Sequence, residues 1–467
     1  MDFLRPIYWR EGMLLRPQHF QLQDRFHEAL VHYLFSLHQK YYWGIDSLEI
    51  NRDALQNQTL SIDSCRMVSP DGAVITFPGN ARIESRSFEG RLPTAGRPLD
   101  IFLGLPSLKT SESNLGGEDG SSSESSAHPR RFYLKSDDGP VSDLFASDSQ
   151  SLIERLYFDL RLFFGEEKKE AGEFLPLKIG EVSRTEKGFA LSPRYIPPAT
   201  TLVADPILFG LVKKVRDRLT AKGRELQEQK RERGARTKEI GARDALHLLF
   251  ALTLNRYIPL FHQITEDGLV HPRQAYALLR TLVGELSSFS EGVSFLGAAE
   301  AQGGAPLPEY RHEDLWNCFY PAAGLIERLL DELVARAGYA VKLTWDGELY
   351  SADLDEKVFD GDNKFYLVID TPLPLSELLA MMKGTAKICS REGVPTLVKR
   401  ALYGAAVQHL PAPPPELPQR TQACHFLLEK SSSAWDRVVK DKNIAISFEF
   451  KKMEHMEIEL TVLFAEK

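Results

Sequence analysis

The sequence predicts a multidomain chain of mixed β and α class. Its parts are an N-terminal antiparallel β-sandwich, a central helical bundle and a small C-terminal α+β domain. Three observations carry this. Between residues 45 and 194, short runs alternate apolar and polar residues between Gly, Pro, Asn and Asp turns. After Tyr195-Ile196-Pro197-Pro198 the apolar period becomes helical. After Gly303-Gly304-Ala305-Pro306 one more helix is followed by alternating runs mixed with short helices. At 467 residues, 43% hydrophobic and 26% charged, the chain is long for one core.

Taken in order, residues 19–40 read as a helix with Phe20, Phe26, Leu30, Tyr33, Leu34 and Leu37 near one face, ended by Gly44. Strand texture begins at Ile45. Its clearest runs are Leu60-Ser61-Ile62-Asp63, Ile101-Phe102-Leu103-Gly104-Leu105 and Leu156-Tyr157-Phe158-Asp159-Leu160-Arg161-Leu162-Phe163-Phe164. Many short strands at this spacing predict a sandwich or barrel. Residues 107–129 are rich in Ser, Gly and Glu and poor in large apolar groups, which predicts a mobile insert between strands. Beyond Pro198, Leu208, Leu211, Val215, Leu219 and Leu226 form an apolar stripe stepping by three, four, four and seven. That spacing predicts a heptad seam between copies, with the inside of one bundle as the alternative. A second helix is expected over 240–261 and a third from His271-Pro272. The C-terminal part predicts a helix over 315–333, strands at 339–345, 364–370, 444–450 and 456–464, and short helices at 376–382 and 434–440.

Composition excludes several functions. No run approaches the roughly eighteen apolar residues of a membrane span. Charges at Arg5, Arg10, Glu11 and Arg16 interrupt any signal-peptide core. A net charge of -8 argues against a dedicated nucleic-acid binder. Cys65, Cys318, Cys389 and Cys424 lack paired spacing and read as reduced, buried thiols of a cytoplasmic protein. No phosphate loop, dinucleotide fingerprint, nucleophile elbow or HExxH occurs. His27, His32 and His38 are five and six apart, which does not place two imidazoles on one helical face. His312-Glu313-Asp314 precedes a helix whose N-terminal dipole the acids complement. No cofactor, metal or catalytic set is therefore assigned. The basic residues between Lys213 and Arg243 read as a solvated, partly Glu-paired helix face, with docking of acidic proteins as the alternative. The prolines at 411 and 413–415 read as a rigid connector, with an aromatic groove on a partner as the alternative.

The first residues fit none of these patterns. Trp9, Glu11, Gly12, Met13, Leu15, Pro17, Gln18, His19, Phe20 and Gln21 follow in irregular order, and such a segment is unfavourable to order unless something packs on it. The string closely resembles the N-terminal signature of the TssK family, baseplate components of the bacterial type VI secretion system. A looser likeness covers the C-terminal part: Tyr403-Gly404-Ala405, a Pro-rich stretch ending at Pro418, Phe426-Leu427-Leu428 and Trp435.

The resemblance implies a non-enzymatic homotrimeric adaptor with a β-sandwich shoulder, a helical neck and a mobile head. With the boundaries at Pro197-Pro198 and Gly303-Gly304, these parts fall as an arm at 1–18, the shoulder at 19–198 with the insert at 107–129, the neck at 199–308 and the head at 309–467. It implies that the arm and shoulder engage the wedge proteins TssF and TssG. It also implies that the head engages cytoplasmic parts of the inner-membrane proteins TssL and TssM, without nucleic acid or membrane insertion. The rival readings are a phage-tail-like receptor-binding protein and a cytosolic hydrolase.

Overall fold

The computed structural model describes residues 3–464 apart from 94–95, 117–128, 136–138, 147–148, 170–171, 187, 234–241, 300–302, 338, 415–416, 418–422, 449–450, 452 and 454. The side chains of 229–233, 242–244 and 333–337 lie outside the description as well. The chain divides into two compact units. One comprises Met1–Asp217, Pro259–Gly284 and Gly292–Ile326. The other comprises Arg218–Ile258, Glu285–Glu291 and Glu327–Lys467.

The first unit opens with helix α1 (Pro17–His38), then strand β1 (Gly44–Ile50) and the short α2 (Arg52–Gln56). Next in the chain are β2 (Thr59–Leu60), β3 (Ile62–Val68), β4 (Val74–Phe77), β5 (Ala81–Ile83), β6 (Arg86–Ser87) and β7 (Leu99–Pro106). After these come β8 (Phe132–Leu134), β9 (Pro140–Ser142), β10 (Gln150–Leu152), β11 (Leu156–Phe164), β12 (Phe174–Thr185) and β13 (Gly188–Leu191). One sheet runs β1-β3-β4, and the larger runs β13-β12-β7-β11-β5 with β8 beside β11. Ile45, Cys65, Met67 and Ile75 of the first sheet share one core with Ile101, Leu103, Leu160, Leu162 and Ile179 of the second. Alternation explains this. Leu160, Leu162 and Phe164 point into the core while Arg161 between them is exposed.

The sandwich is not wholly antiparallel as the sequence predicted. β11 pairs β5 in parallel, Phe158 opposite Ala81, because the chain returns to that edge through a long connection instead of a hairpin. The insert is also not loose throughout. Asn114 accepts from the Lys109 backbone N–H (2.9 Å) and donates to its carbonyl (2.7 Å). Leu115 bridges Phe132. Residues 107–116 are tied down by Asn114, by Lys109 on Glu173 (2.8 Å) and by the Ser107 N–H on the Glu173 carbonyl (2.8 Å), and 117–128 lie outside the described residues.

Four long helices come next: α3 (Pro206–Arg233), α4 (Ala242–Glu266), α5 (Pro272–Ser287) and α6 (Leu315–Ala337). Pro206 and Pro272 stand at first helical positions, where a missing N–H is harmless. Asp205 accepts from the N–H groups of Ile207 (2.8 Å) and Leu208 (2.9 Å), capping α3. The unit boundaries fall inside α3, α4, α5 and α6, and not at the Pro- and Gly-rich segments.

The second unit carries an eight-stranded antiparallel sheet. Its strands are β14 (Tyr339–Trp345), β15 (Tyr350–Asp353), β16 (Lys364–Asp370), β17 (Ala386–Cys389), β18 (Val407–Leu410), β19 (Ala423–Leu428), β20 (Asn443–Phe448) and β21 (Glu457–Leu463). The order is β17-β20-β15-β14-β21-β16-β19-β18. Helices α7 (Leu375–Gly384), α8 (Val394–Lys399) and α9 (Ser433–Asp441) contribute Leu378, Val394, Trp435 and Val438 to its core. The sequence missed α8, β15, β17 and β18, each four to six residues long and too short to show a period.

Candidate functional site

The N-terminal arm and α1 form the most unusual surface among the described residues. In the arm, the Met13 N–H donates to the Arg10 carbonyl (3.4 Å). This closes a turn with Gly12 at φ +73°, a conformation glycine takes without steric cost. Pro17 then opens α1. The Arg16 N–H donates to His19 Nδ1 (3.1 Å), so the imidazole caps the helix start. Gly12, Pro17 and His19 are therefore explained by local backbone geometry. Trp9 stands 46% exposed with its ring 6.0 Å from that of His19. Leu14, Leu15 and Phe20 are exposed, as are Glu11 and Gln18, and Met13 is half-buried.

Helix α1 inverts the usual amphipathic rule. Not one of its 22 residues is buried. In its C-terminal half, Ala29, His32 and Ser36 form the partly covered side, together with Gln39 just beyond it. His32 lies against Gly72, where a Cβ would approach its Nδ1 to 2.6 Å, and is hydrogen-bonded to the Tyr42 hydroxyl (2.7 Å). Near this seat, buried Arg131 pairs with Asp71 (2.9 Å) and donates to the Pro106 carbonyl (2.7 Å). Desolvation pulls the Arg131 guanidinium down from its usual range, and the Asp71 charge opposes that pull. The outward side carries Leu30, Val31, Tyr33, Leu34, Phe35 and Leu37, the last 64% exposed. The sequence read this stripe as a face but could not say that solvent lies on it.

A joint in the same unit anchors the chain just beyond α1. Ile45 N–H donates to the Pro198 carbonyl (2.7 Å), and Gly44 sits where a Cβ would meet that oxygen at 2.7 Å. His271 Nε2 donates to the Tyr41 carbonyl (2.6 Å), and its Nδ1 accepts from the Arg273 N–H (3.0 Å). His312 Nε2 donates to the Trp43 carbonyl (2.7 Å), and its Nδ1 accepts from the Tyr310 hydroxyl (2.8 Å). The two imidazoles stack with centroids 5.5 Å apart. Each is thereby fixed in the neutral, Nε2-protonated form. Burial pushes His312 down to about 4, the Trp43 hydrogen bond opposing and His271 reinforcing the shift. Burial likewise lowers His271. These histidines are structural clamps, and their partners lie more than two hundred residues away, beyond any sequence motif.

The helical stripe is placed differently from the expected seam between copies. Leu208, Val215 and Leu219 are fully buried within the single chain, and only Leu211 and Leu226 keep partial exposure. The reason is the helical period: Val212 and Gly223 complete the buried line, stepping by four, three, four and four. Exposed leucines lie instead on α4, at 248, 249 and 252. The basic residues of α3 are partly paired, Arg218 with Asp331 (2.5 Å) and Lys222 with Glu225 (2.6 Å).

In the second unit, the motif residues divide by role. Phe426 and Trp435 are core, the Trp435 ring centroid lying 4.6 Å from that of Phe365 and its backbone N–H donating to the Ser432 hydroxyl (3.2 Å). Gly404 lets the chain close over the free edge of β17, where Ala405 N–H donates to the Ile388 carbonyl (2.8 Å). A Cβ at Gly404 would stand 2.4 Å from the Ile388 nitrogen. Gly404→Ala should therefore destabilise this unit by about 1–3 kcal/mol, read as a lowered thermal midpoint; an unchanged midpoint would contradict the geometry. Tyr403 is displayed, 85% exposed, beneath Lys387. Pro418 and Pro415 lie outside the described residues.

The sequence missed one further exposed feature. The β9–β10 hairpin presents Leu144 and Phe145, the latter 98% exposed, on a turn held by Asp143. Among the described residues no His, Cys, Asp and Glu group has metal-binding proximity, and no helix is long and apolar enough to cross a membrane.

Comparison with known proteins settles the family. The family model described as bacterial type VI secretion, VC_A0110, EvfL, ImpJ, VasE matches residues 19–463. This chain belongs to that bacterial type VI secretion family. The type VI secretion system baseplate component TssK1 of Pseudomonas aeruginosa is 24% identical over 448 residues, covering 95% of this chain and 96% of the relative. A chain of the type VI secretion baseplate complex aligns over 100% of both chains at 25% identity with a TM-score of 0.64. A chain of the TssK-TssF-TssG baseplate subcomplex covers 70% of this one and 99% of itself at 25% identity and a TM-score of 0.59. The mixed β and α multidomain fold is thus the fold of this type VI secretion family.

Proposed function

We propose that this chain is a structural, non-enzymatic adaptor of the type VI secretion baseplate. In this reading it acts as a homotrimer in the cytoplasm, peripheral to the inner membrane through its partners. The shoulder (19–198) and arm (1–18) engage TssF and TssG. The neck (199–308) joins them to the head (309–467), which reaches cytoplasmic parts of TssL and TssM. The observation that carries it is the arm with α1, an ordered surface of large apolar side chains with no buried residue in the helix. Family membership supports it, as do a relative named as a baseplate component and another solved with TssF and TssG. The displayed Tyr403 supports a contact surface on the head.

The test is to recover an affinity-tagged chain from its own cell and identify what accompanies it. TssF and TssG are expected, and their absence overturns the reading. In the same assay Trp9→Ala with Leu15→Ala should weaken their capture by about 30-fold, since buried aromatic anchors contribute about 2 kcal/mol at interfaces. The thermal midpoint should stay nearly constant because both side chains are exposed. His19 is left intact because its ring caps α1.

A further inference from the structure

One stretch of the second unit is basic although the whole chain is acidic. Between residues 383 and 407 it carries Lys383, Lys387, Arg391, Lys399 and Arg400 against the single acid Glu392, in a chain of net charge -8. Arg391 pairs with Asp353 (3.1 Å), and Glu392 accepts from the Asn443 side-chain amide (3.1 Å). The other four cations pair with no carboxylate among the described residues.

The fold gathers them beside two displayed apolar side chains. Lys383 stands in the last turn of α7 and Lys387 in the edge strand β17. Ile388 points into the core, so Lys387 next to it faces the other side of the sheet. Lys399 ends α8 and Arg400 caps it. The chain then turns at Ala401, φ +50°, where the Leu402 N–H donates to the Leu397 carbonyl (2.9 Å). Its return along β17 brings the Tyr403 ring to 5.3 Å from Lys387 Nζ. Leu402 is 47% and Tyr403 85% exposed.

This composition identifies the occupant. Leu402 and Tyr403 are the only large apolar side chains exposed in the stretch. Two such groups are too few for the core of a stable protein interface, which takes roughly 800 Å² from each partner. A plane of anionic lipid headgroups demands no matching shape. It neutralises cations wherever their flexible stems reach, and it accepts a tyrosine at its polar–apolar boundary.

We propose that this platform rests on the anionic headgroups of a bilayer. Lys383, Lys387, Lys399 and Arg400 lie over lipid phosphates, with Leu402 and Tyr403 at headgroup level. The contact is superficial and needs no spanning helix. It rests on the reading of the head as the membrane-facing part and adds lipid to the contacts made there.

The test uses the full chain, purified alone, and sedimentation with sucrose-loaded vesicles. Phosphatidylglycerol vesicles should carry the chain down, phosphatidylcholine vesicles should not, and added salt should release it. Lys387→Gln with Lys399→Gln and Arg400→Gln should weaken the partition by about 100-fold. Independently, Tyr403→Cys labelled with an environment-sensitive fluorophore should shift its emission to the blue on phosphatidylglycerol vesicles. The parent, whose cysteines are buried or half-buried, gives the background. If the triple variant fails to fold, the fluorophore decides alone. Binding that is absent in the parent, or unchanged in the triple variant, overturns the proposal. Binding to immobilised polyglutamate but not to phosphatidylglycerol vesicles overturns it in favour of an acidic protein. Recovery of TssF and TssG from the cell separates the two readings. When they accompany the chain and vesicles do not bind, the lipid contact fails and the adaptor stands. When they are absent, the adaptor reading fails whatever the vesicles do.

Discussion

An aspartate in place of Val215 should melt the helical region instead of releasing folded single copies. Val215 is fully buried within one chain, on the line that runs from Leu208 through Val212 to Leu219. The substitution removes the valine's packing and places a carboxylate where water does not reach. Together these should cost about 4 kcal/mol or more, the range of large core disruptions. Leu211→Asp, at a half-buried position of the same helix, should cost roughly 1 kcal/mol. Far-UV circular dichroism on heating, paired with light scattering, separates the outcomes. A Val215→Asp chain that melts like the parent yet changes mass would return the stripe to the interface between copies.

Acidification should loosen the joint that seats the first strand. His312 is pushed down to about 4 from an ordinary value near 6.5, so the unfolded chain binds the extra proton over that interval. The sign follows from linkage. The stabilisation is complete above about pH 6.5 and is lost as pH falls through that window toward 4. Its size is on the order of 3 kcal/mol for His312, at about 1.4 kcal/mol per unit. His271 is shifted in the same direction by burial and adds to the loss. The physical cause is burial, which disfavours the imidazolium of each histidine. Thermal midpoints across this range should fall more steeply for the parent than for His312→Asn, which starts lower but lacks the titration. Parallel slopes would show that His312 is not the group responsible.

Much of the fold was legible because it is local. Strand 156–164 and helix 315–337 repeat their apolar residues at the periods of two and 3.6 that their backbones impose, and Pro206 and Pro272 mark helix starts. The family was legible for the same reason, since its N-terminal signature is a short string whose Gly12, Pro17 and His19 serve turn and cap geometry in place. The short strands of the second unit were not legible. β17 and β18 are held by their neighbours in the sheet and not by any pattern of their own.

The candidate site divides along the same line. The sequence by itself determined that residues 20–37 form a helix with an apolar side and that 208–226 form another, because side-chain direction follows from helical geometry. Only the tertiary structure decided which of these sides is covered. α3 turned its stripe into the core of its own chain, while α1 was seated through His32 on Gly72 and left its stripe outside. Likewise, nothing in the sequence joins His271 to Tyr41 or His312 to Trp43, contacts that span 230 and 269 positions. Periodicity fixes the direction of a side chain relative to its own backbone. Burial depends on what the rest of the chain brings opposite it.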